Sequence, residues 1–166
     1  ALMERTTTDH IIVAHDDDIQ HPNRVQRIME TYAEHNVTMV TCNAMNIDRE
    51  GRGRKAMVGQ QGDCRMSLAD VARPGRPIQV QGSALSWRRD VYDHFGPINV
   101  DKTARTSDYI LPFRAALLGD IYFLDEQLLD NRQHADSRGR IGASLVDEDV
   151  TRVALASERI TQISYL

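Results

Sequence analysis

Three consecutive carboxylates, Asp16, Asp17 and Asp18, follow the apolar run Ile11-Ile12-Val13-Ala14 and a single histidine, His15. Side chains alternate along an extended chain, so three neighbouring acids cannot all turn to water without cost to the strand that delivers them. Mutual repulsion disfavours three adjacent negative charges unless a cation compensates. Oxygen ligands of this kind suit Mg²⁺ or Mn²⁺, above all where phosphate oxygens complete the coordination shell. In open α/β sheets, ligands bind at the carboxyl ends of strands, which is where the triplet falls. The competing reading is a solvated loop that caps the next helix, and the triplet alone leaves both open.

Three further places could carry chemistry. Gly82-Ser83 offers a turn whose glycine permits close backbone approach and whose hydroxyl can donate or accept a hydrogen bond, although such pairs are ordinary turns elsewhere. Asp108 follows Thr106-Ser107 at the head of an apolar stretch, where a carboxylate also serves as a helix cap. His134 sits in a polar segment, and a loop histidine is either a solvated side chain or a ligand.

The elements that must position these residues follow from pattern. Ile11 to Ala14 is rich in β-branched residues and suits a strand buried on both faces, as in parallel sheets. Pro22 opens a helix, where its missing N–H is harmless. Val25, Ile28, Met29, Tyr32 and Ala33 give that helix an apolar side as far as about His35. Val37 to Cys42 is the next strand, so strand, helix and strand form a crossover of α/β type. Asp48 to Gly62 is polar and glycine-rich and reads as a hairpin or loop turning at Arg49-Glu50-Gly51. A short helix is expected over Met66–Val71, short strands at Ile78–Gln81 and Leu85–Arg88, and a helix over Asp90–Phe95 closed by Gly96. A mostly buried helix with Ile110, Leu111, Phe113, Leu117 and Leu118 ends at Gly119. Ile121–Leu124 is a strand, and Asn131–Arg140 a polar loop. Asp147-Glu148-Asp149 opens a last helix with Val150, Val153, Ala154, Ile160 and Ile163 on one side.

The 166 residues suffice for one domain with a real core. A formal charge of −4 supplies no positive field for collecting phosphates, so nucleic acid is not the expected partner. Cys42 and Cys64 make neither a disulfide framework nor a zinc site, and they suit a reducing compartment. No apolar run reaches the ~20 residues that cross a bilayer, and no signal peptide is visible. The expectation is a soluble, cytoplasmic chain. Ala1–Arg5 looks like the end of a helix, as if the chain were entered in mid-domain.

Taken in order, the motifs resemble those of family 2 glycosyltransferases. Val13-Ala14-His15-Asp16-Asp17-Asp18-Ile19, with His21-Pro22-Asn23-Arg24-Val25, resembles the segment that carries the family's Asp-x-Asp metal motif. His15 replaces the usual first aspartate, which leaves open which of Asp16, Asp17 and Asp18 are ligands. Gly82-Ser83-Ala84-Leu85-Ser86-Trp87-Arg88-Arg89 resembles the small-residue turn beneath the donor and acceptor sugars. Ser107-Asp108-Tyr109-Ile110-Leu111-Pro112-Phe113-Arg114 resembles the Glu-Asp helix of bacterial members, with Ser107 in place of the glutamate. Ile121-Tyr122-Phe123-Leu124 through Asn131-Arg132-Gln133-His134 looks like the strand with an Arg-x-His ending.

The resemblance covers residues 1–137; 138–166 would be a tail and helix that it does not explain. It implies a partial nucleotide-diphospho-sugar transferase (GT-A-like) α/β fold, with a mixed sheet flanked by helices and without the N-terminal nucleotide-binding half. It implies inverting, metal-dependent transfer from a nucleotide-diphospho-sugar donor to a saccharide or other hydroxyl acceptor. Asp108 would be the general base. Asp16, Asp17, Asp18 and His134 would hold Mg²⁺ or Mn²⁺. Gly82, Ser83, Ser107 and Arg132 would contact substrate. A second copy of the chain is the candidate partner for the sheet edge that an absent half leaves open. The alternative from a different class is a non-catalytic metal-binding remnant or interaction module built on the same fold.

Overall fold

The computed structural model describes residues 2–59, 62–72, 82–98 and 107–133. A short helix α1 (Leu2–Arg5) precedes strand β1 (His10–Ile12), and the acidic segment leads to β2 (Ile19–Gln20). Then come α2 (Arg24–Glu34), β3 (Met39–Ile47), β4 (Gly53–Ala56), β5 (Cys64–Met66) and α3 (Leu68–Ala72). A 3₁₀ turn over Gly82–Ala84 feeds β6 (Leu85–Arg88), α4 (Arg89–Phe95), α5 (Ser107–Leu118) and β7 (Ile121–Arg132). The expected strand at 78–81, the loop beyond Gln133, the boundary at 137–138 and the last helix lie outside the described residues.

The seven strands form one mixed sheet with the order β1-β6-β3-β7-β2. β4 extends the edge of β3, and β5 pairs with β7. β3 and β7 run parallel along their length and form the spine, whereas β6 is antiparallel to both β1 and β3. Helices cover both faces, the layered solution that buries a two-sided sheet. The strands expected from Ile11, Val37, Leu85 and Ile121 share this sheet, and α2 packs on it through Ile28 and Tyr32.

Several boundaries differ from the sequence reading, each for a physical reason. β1 is a half-buried edge strand antiparallel to β6, not a strand buried on both faces. β7 continues to Arg132 instead of stopping at Leu124, because its polar residues Asp125–Gln127 occupy irregular register against Cys42–Ala44 of β3. Such bulges let a strand continue through residues that break its alternation. The polar stretch beginning at Asn131 is therefore strand at its first two residues. Pro22 stands two residues ahead of α2 rather than within its first turn.

The buried face of α2 also departs from its apolar spacing. Val25 and Met29 are exposed, at 59% and 38%, whereas Arg24, Ile28 and Thr31 are buried. Tyr32 anchors the helix: its hydroxyl accepts from Val40 N (3.1 Å) and meets Ser86 Oγ (3.2 Å). Arg27 grips both oxygens of Glu126 in the β7 bulge, a forked ion pair across the helix–sheet junction.

The α5 side is packed differently. Phe113, Ala115 and Ala116 lie with Met39, Val71, Leu85, Trp87, Val91 and Ile121 in a continuous apolar cluster. Gly119 ends α5, donating to Ala115 O (3.0 Å). A Cβ there would come within 2.9 Å of the Thr38 methyl, so this close approach requires glycine. Gly96 closes α4 at φ 69°, as its position in the sequence suggested.

Candidate functional site

The acidic segment leaves β1 at one end of the strand order and lands in β2 at the other, so it spans the sheet. Bends at Asp16–Asp18 bring one ligand atom each from His15, Asp17 and Asp18 within 4.8 Å of one another. Asp16 is exposed and stands outside this group, and His15 stands inside it. The residue that departs from the family's pattern is thus one of the three that the fold assembles.

Asp18 is the fixed member. Its side chain is 1% exposed, against 49% for His15, and its Oδ2 lies 4.0 Å from His15 Nδ1. Asn131 Nδ2 donates to Asp18 Oδ1 (3.1 Å) and Oδ2 (3.3 Å), and Arg132 N donates to Oδ1 (2.9 Å). Hydrogen bonds of this kind satisfy the oxygens of a buried carboxylate.

Arg132, expected as a substrate contact, is bonded to the loop. Its Nε donates to Asp17 O (3.1 Å), and its Nη1 to Asp48 O (3.1 Å) and Arg49 O (2.7 Å). It joins the acidic segment to the β3–β4 turn. That turn is ordered by Asp48, whose carboxylate accepts from Glu50 N, Arg52 N and Arg52 Nε. The Arg52 amide bond, followed by the Arg52 guanidinium, holds the Asp48 carboxyl below its ordinary range.

Arg24 was not singled out from the sequence, yet it closes the base of the segment. It is 1% exposed. Its Nη1 donates to Val13 O (2.9 Å) and also to Gln20 Oε1, so one guanidinium ties both shoulders of the acidic loop. Its Nη2 donates to Ser83 O (2.9 Å), fastening the loop to the Gly82–Ala84 turn. Burial works against its charge, while Cys42 and then the Asp18 carboxylate favour it. Burial in turn pushes the Cys42 thiol up. No periodicity marks such a residue, because its three acceptors come from three segments.

Gly82 and Ser83, expected beneath the sugars, are both buried, and the Ser83 hydroxyl has no hydrogen-bond partner among the described residues. The turn therefore abuts the acidic loop through Arg24, with a buried donor still to be satisfied. Ser107 and Asp108 open α5, but their side chains lie outside the described residues, as does His134. Pro112, within α5, has no N–H to give the carbonyl four residues earlier, that of Asp108.

No family model matches the chain, and no curated protein sequence matches it. Among solved structures, the chain is similar to residues 1–349 of the S. aureus glycosyltransferase TarS in complex with UDP-GlcNAc. The TM-score is 0.63 at 14% sequence identity, covering 94% of this chain and 44% of that one. The chain thus has a glycosyltransferase-like mixed α/β fold and spans less than half the length of that relative. Among the described residues, no helix is long and apolar enough to cross a membrane.

Proposed function

We propose that the chain is the metal-binding and catalytic part of an inverting glycosyltransferase that uses a nucleotide-diphospho-sugar donor. One observation carries this reading: His15, Asp17 and Asp18 converge on the loop after β1, in a fold similar to that of an enzyme bound to UDP-GlcNAc.

The donor set fits a divalent cation. Two carboxylates and an imidazole offer oxygen and nitrogen ligands, and Asp18 is already fixed in place by β7. Mg²⁺ or Mn²⁺ bound there would neutralise charge on the departing diphosphate. Asp16, beside the group, is the fourth candidate ligand from the segment, and His134 would join from beyond β7. Ser83 and Gly82 would meet the donor sugar, and Ser107 would flank the base.

Asp108, in the first turn of α5, would take the proton of the acceptor hydroxyl as that oxygen attacks the anomeric carbon. A carboxylate at a helix N-terminus is favoured by the helix dipole. The attacking oxygen forms the new glycosidic bond as the bond to the diphosphate breaks, which inverts the anomeric centre.

The binding test is calorimetric titration of UDP-GlcNAc in the presence and absence of Mn²⁺. Metal-dependent binding is expected. No binding under either condition would turn the reading to a non-catalytic module. For catalysis, Asp108→Asn in a chain competent for transfer should lower kcat by roughly 10²–10⁴-fold and leave the donor dissociation constant nearly unchanged. Asn can still cap the helix but cannot accept the proton. Unchanged turnover would remove Asp108 from the mechanism.

A further inference from the structure

Asp18 is held asymmetrically. Its Oδ1 receives two donors, Arg132 N at 2.9 Å and Asn131 Nδ2 at 3.1 Å. Among the described residues its Oδ2 has only the longer Asn131 contact, at 3.3 Å, and it is the oxygen facing His15 Nδ1 at 4.0 Å. One oxygen is thereby tied most closely to β7 and the other faces His15.

The amide that does this is itself fixed. Asn131 is 7% exposed. Its Oδ1 accepts from Gln133 Nε2, which also donates to Asn46 Oδ1 (3.3 Å) on the neighbouring strand. An amide has one acceptor end and one donor end. With Gln133 on the acceptor end, the donor end must point at Asp18; the flipped amide would set its oxygen against a carboxylate. A relay from Asn46 through Gln133 and Asn131 to Asp18 therefore crosses β3 and β7.

We infer that Asn131 is a positioning residue for the metal centre: it aims Asp18 as a one-oxygen ligand, with Gln133 locking the direction of its amide. The inference rests on the metal reading of His15, Asp17 and Asp18. Outer partners of this kind orient ligands and raise metal affinity. Asn131 touches neither the donor nor the reacting atoms in this role; it acts through Asp18.

The test uses the full chain and Mn²⁺ alone, with dissociation constants measured by calorimetry well below the thermal midpoint of each variant. Asn131→Ala should weaken Mn²⁺ binding by about 10–100-fold. Gln133→Leu, which leaves Asn131 in place and frees its amide to turn, should weaken it in the same direction and by less. Far-UV circular dichroism shows whether each variant is folded. A folded Asn131→Ala variant with unchanged Mn²⁺ affinity and only a lowered midpoint would show a purely structural role and overturn the inference, leaving the metal reading intact. If Asn131→Ala does not fold, Gln133→Leu decides: unchanged affinity there overturns the inference. A wild-type chain that binds no Mn²⁺ would overturn the metal reading and this inference together.

Discussion

The two faces of the sheet are built from different materials. On the α5 face, Trp87, Phe113, Met39, Leu85 and Ile121 fill the space with large apolar side chains. On the α2 face Ile28, Leu124, Leu128 and Leu129 pack with the smaller Cys42, Ala44 and Ala84, and Arg24 is buried beside them. The partners of that arginine lead to the acidic loop. Apolar packing is tolerant of detail, since many contacts of ~0.1–0.2 kcal/mol each contribute. A polar network fails if one partner is missing, because an orphaned buried group costs about 1–3 kcal/mol. The α5 face is thus mainly apolar packing around Phe113 and Trp87, and the α2 face carries the Arg24 hydrogen bonds that reach the acidic loop.

The sharpest way to break this contrast is to damage the α5 face and look at the loop. Phe113→Ala should destabilise the fold by about 3–5 kcal/mol in denaturant unfolding. Mn²⁺ affinity, measured under conditions where the variant is folded, should be unchanged. A parallel loss of affinity would mean that the faces are not separable.

The converse change is Arg24→Met, which keeps much of the volume and removes three hydrogen bonds. Unfolding should show a loss of about 2–4 kcal/mol. Here Mn²⁺ binding should weaken as well, because Val13, Gln20 and Ser83 lose their common partner. Metal binding that survives a large stability loss would reduce Arg24 to ordinary packing.

A smaller effect is expected where α5 meets β3. Gly119→Ala should cost about 1–3 kcal/mol through overpacking against the Thr38 methyl. Thr38→Ser removes that methyl and retains the hydroxyl that donates to Ala115 O and Asp120 O. The double variant should recover part of the loss, read as a coupling in a double-mutant cycle. Strict additivity would place the strain elsewhere.

The smallest effect concerns pH at the β3–β4 turn. The Asp48 carboxyl lies below its ordinary range, so its contribution is fully present above the unfolded value of about 3.9 and fades as pH falls through the folded one. The thermal midpoint of Asp48→Asn should therefore trail wild type at pH 7, and the gap should narrow below about pH 4. A gap that is constant between pH 7 and pH 2 would show that the ionised carboxylate is not what orders the turn.

Much of the scaffold was legible in the amino-acid order. The apolar runs at Val37–Cys42 and Ile121–Leu124, the helix over Asp90–Phe95 with its glycine stop, and the β6 strand are local patterns, and local patterns survive folding. The face of α2 was legible only at Ile28 and Tyr32. Val25 and Met29 match the spacing of an apolar stripe, but the sheet receives Arg24 and Thr31 in their place. A guanidinium can be buried only where acceptors already wait, and those acceptors sit at Val13, Gln20 and Ser83.

The candidate site divides in the same way. The order of residues alone determined that acids would cluster just after the first strand, since charge density and the end of an apolar run are both written in sequence. It did not determine which acids converge. The tertiary structure chose His15, Asp17 and Asp18 over Asp16 by bending the loop. It also supplied Asp18 with Asn131, a partner 113 residues away. That partner falls within reach because β7 continues through its bulge to pair with β2. Hydrogen bonds between distant segments depend on register, and register is set by how the whole sheet packs, not by any stretch of residues within it.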